Sequence, residues 1–356
     1  MTNKADGEVR GERKVPGGKL VRVSARVEDG RLTDVVVSGD FFLEPDEALD
    51  RIRASLEGVA VDTPFEVLTE RVADAAEGAV LLGFAPRDVA LTVLRALGRA
   101  TTWDDHAFEL VETGPLEPTV QMALDEVLAR QVAEGRRPPS LRIWDWASSA
   151  VIIGSFQSVA NEVDLEAAAE HDITVVRRIS GGGAMFVEPG NTITYSLYVP
   201  DTLVAGLSFA ESYAFLDAWV LRGLRSLGVE ASYVPLNDIA SPLGKIGGAA
   251  QKRLSAGGVL HHATMAYDID ATKMLQVLRI GREKLSDKGT RSAAKRVDPM
   301  RAQTGLEREK VVEGLLAEFE ASYGLRRVPL DAATLAEAEE LAVTKFADPA
   351  WLARVP

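Results

Sequence analysis

Hydrophobic and polar positions alternate from Lys19 to Val27, with Leu20, Arg22 and Ser24 set against Val21, Val23 and Ala25. A period of two predicts a half-buried strand. Glu28-Asp29-Gly30 follows as a hairpin turn, and Leu32 to Val37 reads as the returning strand. The period then lengthens. Behind Glu44-Pro45-Asp46, the residues Ala48, Leu49, Ile52 and Leu56 share one helical face. Thr63-Pro64 starts another helix carrying Val67, Leu68 and Val72, and Asp88 to Leu97 predicts a third. Residues 1–18 are polar, charged and Gly-containing, and are expected to be disordered. Residues 19–100 are therefore expected to make a small α+β domain, followed by a linker between Ala100 and Gly114.

Beyond the linker the pattern switches repeatedly between the two periods. Thr119 to Gln131 predicts a helix with Met122, Leu124, Val127 and Leu128 apolar. Strands are expected at Leu141–Trp146, Ala150–Gly154, Ile173–Arg177, Asn191–Val199, Val229–Val234 and Val259–Tyr267, with a strand or loop at Lys245–Arg253. Helices are expected at Val163–His171 and Phe209–Leu227, the latter ended by Gly228, and over residues 306–322. Many short strands among a few helices predict an α+β fold with a mixed sheet over residues 113–302, and residues 303–356 read as a C-terminal helical segment.

Composition narrows what such a fold could do. The chain has 356 residues, 46% of them hydrophobic and 26% charged, enough apolar material for a packed core. No apolar run approaches a bilayer span and the first residues lack a signal-peptide core, so a cytoplasmic location and no membrane partner are expected. The net charge of −13 disfavours nucleic acid as a partner. There is no cysteine, which removes disulfides, thiolate metal sites and a thiol nucleophile.

Against that acidic background two Gly-rich segments carry no acid at all. Between Ile173 and Val187 stands Arg177-Arg178-Ile179-Ser180-Gly181-Gly182-Gly183-Ala184. Three glycines let backbone approach a ligand closely and leave N–H groups free for an anion, although a Gly triplet by itself is usually a turn. Between Ile239 and Tyr267 lies Gly244-Lys245-Ile246-Gly247-Gly248-Ala249-Ala250-Gln251, preceded by Asn237-Asp238. Lys245, flanked by small residues, can reach a phosphate or a developing carbonyl charge, where the plainer reading is an exposed loop lysine. Asp238 either holds Mg²⁺ or starts a turn. His261-His262-Ala263-Thr264 places two of the four histidines on one apolar strand, more often a core feature than a zinc site. Residues 271–301 hold nine bases and three acids.

Taken in order, these segments resemble the lipoate–protein ligases of the biotin/lipoate protein ligase superfamily. The resemblance rests on Arg177 to Ala184, Gly190-Asn-Thr-Ile-Thr-Tyr-Ser196, Asn237-Asp238, Gly244 to Gln251 and His261-His262-Ala263. Met122-Ala-Leu-Asp-Glu126, Leu141-Arg-Ile-Trp144 and Ile153-Gly-Ser-Phe-Gln157 add to it, so that it spans about residues 115–300. Residues 18–97 resemble the small accessory domain of that family, here placed before the catalytic domain instead of after it. The helix near Phe319 to Gly324 and the tail from Phe346 to Trp351 resemble the segment that joins the two domains in those ligases.

The resemblance implies a biotinyl/lipoyl ligase-like catalytic domain and a two-step reaction. Lipoate and MgATP form lipoyl-AMP, and a lysine of an acceptor lipoyl domain then takes the lipoyl group. A 2-oxoacid dehydrogenase subunit, a glycine-cleavage protein or another lipoyl-bearing protein would serve as acceptor. It implies Lys245 as the catalytic residue. Arg178, Ser180, Gly181, Gly182, Gly183, Gly247, Gly248, Ala250 and His262 are implied around the acyl-adenylate, Glu126 and Trp144 near the acyl tunnel, and Asn237 with Asp238 at the nucleotide or Mg²⁺. One departure is Val187-Glu188, where the family pattern has a histidine after Met185-Phe186; the pocket is expected to lose a polar group there. The rival readings are an octanoyl or lipoyl transferase, disfavoured by the missing cysteine, and a non-catalytic lipoate-binding homologue. A biotin ligase fits less well, because its glycine motif differs.

Overall fold

The computed structural model describes residues 7–279 and 297–355. They form two compact units: one runs to Asp105 and includes Thr202–Ser208, and the other comprises His106–Asp201 and the chain from Phe209 onward.

In the first unit β1 (Gly7–Lys14), β2 (Leu20–Glu28) and β3 (Arg31–Gly39) form an antiparallel sheet in that order. The alternation seen in the sequence is the burial pattern of β2: Val21, Val23, Ala25 and Val27 are inside, and Arg22 and Arg26 outside. Asp29 and Gly30 both take positive φ, as a two-residue hairpin turn requires. The helices α1 (Glu47–Leu56), α2 (Phe65–Ala75) and α3 (Pro86–Ala96) pack their apolar stripes onto this sheet, beside a two-stranded ribbon of β4 (Phe42–Glu44) and β5 (Val80–Leu82). Disorder over residues 1–18 does not hold for 7–14. That segment pairs along its full length with β2, and α3 crosses it so closely that a Cβ on Gly11 would lie 2.5 Å from backbone atoms of Thr92 and Ala96. The alternation in β1 is between charged and small residues, so hydrophobicity alone did not reveal it. Residues 1–6 lie outside the described residues.

The second unit is built on an eight-stranded sheet. Its strands are β12 (Ser232–Val234), β13 (Asp238–Ala240), β14 (Lys245–Leu254), β15 (Gly258–Ala266), β11 (Thr192–Pro200), β7 (Ser140–Ile143), β6 (Glu109–Glu112) and β16 (Arg326–Pro329), in that spatial order. All pairings are antiparallel except β6 with its two neighbours, which makes the sheet mixed. The central strands β11 and β15 are buried on both faces. Helix α4 (Pro118–Ala133) covers one face, and α7 (Phe209–Ser226) the other, where Trp219 meets Tyr195 at 4.9 Å.

A smaller sheet, β10 (Met185–Val187), β8 (Ala150–Ile153) and β9 (Thr174–Arg177), carries the short helices α5 (Val159–Glu162) and α6 (Leu165–Glu170). They pack with α8 (Ala271–Val277) around Val151, Ile153, Phe186 and Val277. Two features depart from the sequence reading. The presumed linker contains β6, a buried strand. The segment 303–356 packs within the second unit: after α9 (Met300–Thr304) and α10 (Arg308–Tyr323), β16 joins the sheet, α11 (Ala332–Leu341) lies on α4, and α12 (Pro349–Leu352) reaches β9. No helix among the described residues is long and apolar enough to cross a membrane.

Candidate active site

Register across the large sheet builds the site. Arg142 of β7, Ser196 of β11, His262 of β15 and Ala250 of β14 are direct cross-strand neighbours and form one row facing α4. Helix α4 sets Asp125 over this row. Its Oδ1 accepts from Arg142 (2.8 Å), Ser196 (2.7 Å) and Tyr198 (2.6 Å), and its Oδ2 from His262 Nδ1 (2.7 Å). All of these residues are buried. His262 Nε2 lies 2.6 Å from Ser180 Oγ, and Ser180 Oγ accepts from Arg178 Nε at 3.0 Å. Burial, joined by the Arg178 and His261 charges, pulls the His262 pKa down despite Asp125, so the imidazole is neutral at pH 7. The carboxylate then fixes the proton on Nδ1, and Nε2 accepts from Ser180. Asp125 itself is held below the ordinary carboxylate range: burial works against the charge, but hydrogen bonding to His262 and the Arg142 charge outweigh it.

Among the described residues Arg178 has no carboxylate partner. It spans the loop between β9 and β10, donating to the carbonyls of Gly181 (2.5 Å), Gly183 (2.9 Å) and Ile152 (3.2 Å). Burial brings its pKa down to about 10, still a cation at neutral pH. Among the described residues, the amides of Gly181, Gly182 and Gly183 donate to no backbone carbonyl. Gly182 sits at φ +90°, where a side chain would be strained, and the Gly182 carbonyl lies only 2.1 Å from where a Cβ on Gly154 would stand. Arg177 does the same service one residue earlier, donating to Gly154, Ser155, Gln157 and Leu352 carbonyls.

In front of this loop lies a cavity of about 670 Å³. Its lining includes the apolar side chains Met185, Phe186, Ile269, Met274 and Leu278. The same lining carries Arg178, His262, Asn237, Asp238 and Lys245. Lys245 Nζ pairs with Asp238 Oδ1 at 2.7 Å, with both side chains well exposed. Gly248 stands opposite Asp238, and the absent side chain makes room for the pair: a Cβ there would lie 3.1 Å from Lys245 Nζ and 3.3 Å from Asp238 Oδ1. Asn237 Nδ2 donates to the Ala249 carbonyl at 2.6 Å and holds the loop in place.

Of the residues expected at the site, Arg178, Gly183, Asn237, Asp238, Lys245, Gly247, Gly248, Ala250 and His262 line this one cavity. Ser180 lies directly behind it, hydrogen-bonded to His262, and Gly181 and Gly182 complete the same loop. Glu126 does not reach the cavity. One residue further around α4 than Asp125, it faces away and pairs with Lys345 at 2.6 Å. Trp144 is fully buried, its Nε1 donating to Ser196 at 2.9 Å and its ring 6.1 Å from His262, so it supports the row instead of lining a tunnel. Val187 alternates away from Phe186 into the core under α4, so the missing histidine takes no polar group out of the cavity. Sequence reasoning missed Asp125. Its polar character inside the apolar face of a predicted helix was the available signal. The basic stretch 271–301 lies in part, over residues 280–296, outside the described residues. Among those described, no group of three His, Cys, Asp or Glu side chains could hold a metal ion.

This fold and cavity are those of an acyl-protein ligase or transferase. The family model of the lipoyl protein ligase A/B catalytic domain matches residues 117–320, and the chain belongs to that family. It is 29% identical over 280 residues to the octanoyltransferase LipM of an Exiguobacterium species, covering 71% of this chain and 98% of that protein. The bi-partite lipoate protein ligase of Thermoplasma acidophilum, studied with its E2 lipoyl domain, superposes with a TM-score of 0.63 at 26% identity. That match covers 70% of this chain and 98% of the ligase. A lipoate-protein ligase A bound with ATP shares the fold, with a TM-score of 0.61 at 24% identity over 70% of this chain and all of the other.

Proposed function

We propose that the protein is an ATP-dependent lipoate–protein ligase. The observation that carries this reading is one cavity whose lining combines apolar side chains with the cations Arg178 and Lys245. A carboxylic acid with a medium-length apolar tail lays its tail on Met185, Phe186 and Met274 and presents its carboxylate to the loop and to Lys245. A carboxylate oxygen attacks the α-phosphorus of ATP, and pyrophosphate leaves. The ε-amine of an acceptor lysine then attacks the carbonyl carbon of the mixed anhydride; AMP leaves and the ammonium loses a proton.

Neither step needs a nucleophile on the enzyme, so the work is positioning and charge stabilisation. Lys245, a cation in the cavity lining, would meet both the carbonyl oxygen and the α-phosphate once it leaves Asp238. The amides of Gly181 to Gly183 cradle the same charges. Asp238, the one acidic residue among the described residues lining the cavity, suits the way Mg²⁺ binds, through one carboxylate with phosphate and water oxygens. With Asn237 it would hold that ion, which supplies neutralising charge. Both nitrogens of His262 are engaged, so it orients instead of transferring a proton. The acceptor is a lipoyl domain, in keeping with the partner of the Thermoplasma ligase.

The name of the Exiguobacterium relative favours a second reading, octanoyl transfer from a carrier-protein thioester. With no cysteine in the chain, an acyl-enzyme thioester cannot form, and the acceptor lysine would have to attack the carrier thioester directly. Pyrophosphate release from MgATP separates the two. We expect lipoate-dependent release by the wild type and a 10²–10³-fold loss in Lys245→Ala, the usual cost of removing one donor to developing charge. ATP-independent octanoylation from the carrier protein, without pyrophosphate, would instead establish the transferase. Lipoate binding without either activity would leave a non-catalytic binder.

A further inference from the structure

The cavity accounts for Lys245, Asp238 and the glycines, but not for why a carboxylate, an imidazole and a hydroxyl are strung together behind it. We propose that Asp125 is a positioning residue for the acid-activation step, acting through His262 and Ser180 on Arg178 and the Gly181–Gly183 loop. The inference rests on the ligase reading for its kinetic arm only.

The chain of bonds has a direction. Asp125 can only accept, so His262 donates from Nδ1; His262 Nε2 can then only accept, so Ser180 donates to it. That turns the lone pairs of Ser180 Oγ toward Arg178 Nε, which donates to them. With Nε held, the two terminal nitrogens of Arg178 fall on the Gly181, Gly183 and Ile152 carbonyls and fix how the loop presents its amides. The Asp125 end is anchored by Arg142, Ser196 and Tyr198, so the direction originates at a buried, fully engaged carboxylate. Ser180 is completely buried, and its hydroxyl is committed to His262. The arrangement therefore has the connectivity of a nucleophilic triad but is used as a brace.

Asp125→Asn reverses the direction. The amide nitrogen facing His262 makes Nδ1 an acceptor, moves the proton to Nε2, and points it at Ser180. We expect the ¹⁵N shifts of His262 to report an Nδ1–H tautomer in the wild type and Nε2–H in the variant. We also expect kcat/KM for lipoate-dependent pyrophosphate release to fall about 10- to 100-fold, mainly in kcat. Because Asp125→Asn takes the buried carboxylate away from Arg142 and could unfold the unit, Ser180→Ala is the second variant. It breaks the same chain beyond Arg142 and is expected to show the same kinetic loss with a Tm close to wild type. The double variant is expected to be no worse than the poorer single one, since both break one chain. A wild-type Nε2–H tautomer, an unchanged tautomer in Asp125→Asn, or wild-type kinetics in Ser180→Ala would overturn the proposal. An acyl adduct on Ser180 found by mass spectrometry would overturn it too, by making the hydroxyl a nucleophile. The tautomer is read without substrate, so a wild type that releases no pyrophosphate sinks the ligase reading while the spectra still decide this one.

Discussion

Arg177→Lys is expected to cost this protein far more than its charge conservation implies. The guanidinium makes five hydrogen bonds to four carbonyls that lie on opposite sides of it. Leu352 accepts two, at 3.0 and 2.6 Å, and the 154–157 loop takes the other three. A lysine ammonium has three donors at one point and cannot bridge the two sides. At least two charge-assisted bonds are lost, each worth about 1.5–3 kcal/mol, giving about 3–6 kcal/mol in all. For a folding unit of this size, 1 kcal/mol moves Tm by about 2–4 °C, so the catalytic unit should melt roughly 6–24 °C lower. Trp351 Nε1 donates to the Arg177 carbonyl at 3.0 Å, and Lys345 and Arg354 stand over the Trp351 ring at 4.5 and 4.6 Å. The tail should therefore loosen together with the 154–157 loop, and limited proteolysis should cut both first. The assay is calorimetry on wild type and variant, with proteolysis beside it. A Tm within about 2 °C of wild type, with unchanged cleavage, would refute the claim that this arginine clamps the tail to the site.

Three further outcomes follow from the site. The His262 pKa lies below its ordinary value of about 6.5, so the unfolded chain takes up a proton that the folded one refuses. This contribution to stability is complete above about pH 6.5 and is lost as the pH falls through and below it. Asp125, also lowered, adds its own loss only below about pH 4. Thermal melts between pH 7 and 5 should show the slope and His262→Gln should flatten it; equal slopes would contradict the assignment. Gly247→Ala places a Cβ 2.5 Å from the Thr264 carbonyl oxygen and 2.9 Å from Met265 Cα, both backbone atoms, and should destabilise by about 1–3 kcal/mol. Gly248→Ala meets only the movable ends of Lys245 and Asp238, so urea titration should find it near wild type while the pyrophosphate assay finds it impaired. Glu126→Gln removes a partly exposed pair with Lys345 and should cost about 1 kcal/mol or less without changing lipoate affinity. A raised Kd for lipoate would put Glu126 back at the acyl tunnel.

The sequence was most legible where one period ran undisturbed. The alternation in β2 and the apolar stripes of α1, α3 and α7 all matched elements of the structure. It was least legible where neighbours supply the reason for an element. Met185 to Val187 and Arg326 to Pro329 are too short to show a period, and they become strands only because β8 and β6 offer free edges. The site motifs marked segments that the structure brings to one cavity, since the glycines, Lys245 and Asn237-Asp238 are placed there by local backbone. That Asp125 and not Glu126 lies over the row of the large sheet was illegible for a different reason. Adjacent acids on a helix differ by about a quarter turn, and only the register of Ser196 and His262 across β11 and β15 decides which one is buried.

The pairing of β16 with β6 has a consequence for the order in which the molecule is made. Glu109 and Arg326, partners in that ladder, stand 217 residues apart. At about 5–20 residues per second, a ribosome delivers the second strand roughly 10–40 s after the first. Through that interval β6 is an open edge, a template for the wrong strand. The nascent chain already carries a guard. Glu109 is an acid within the buried part of the strand, and Arg137, synthesised soon after it, reaches its carboxylate at 3.5 Å. A stray apolar strand docking there would have to bury that charge without the pairing Arg326 brings, so the edge waits for the one segment that carries the matching cation.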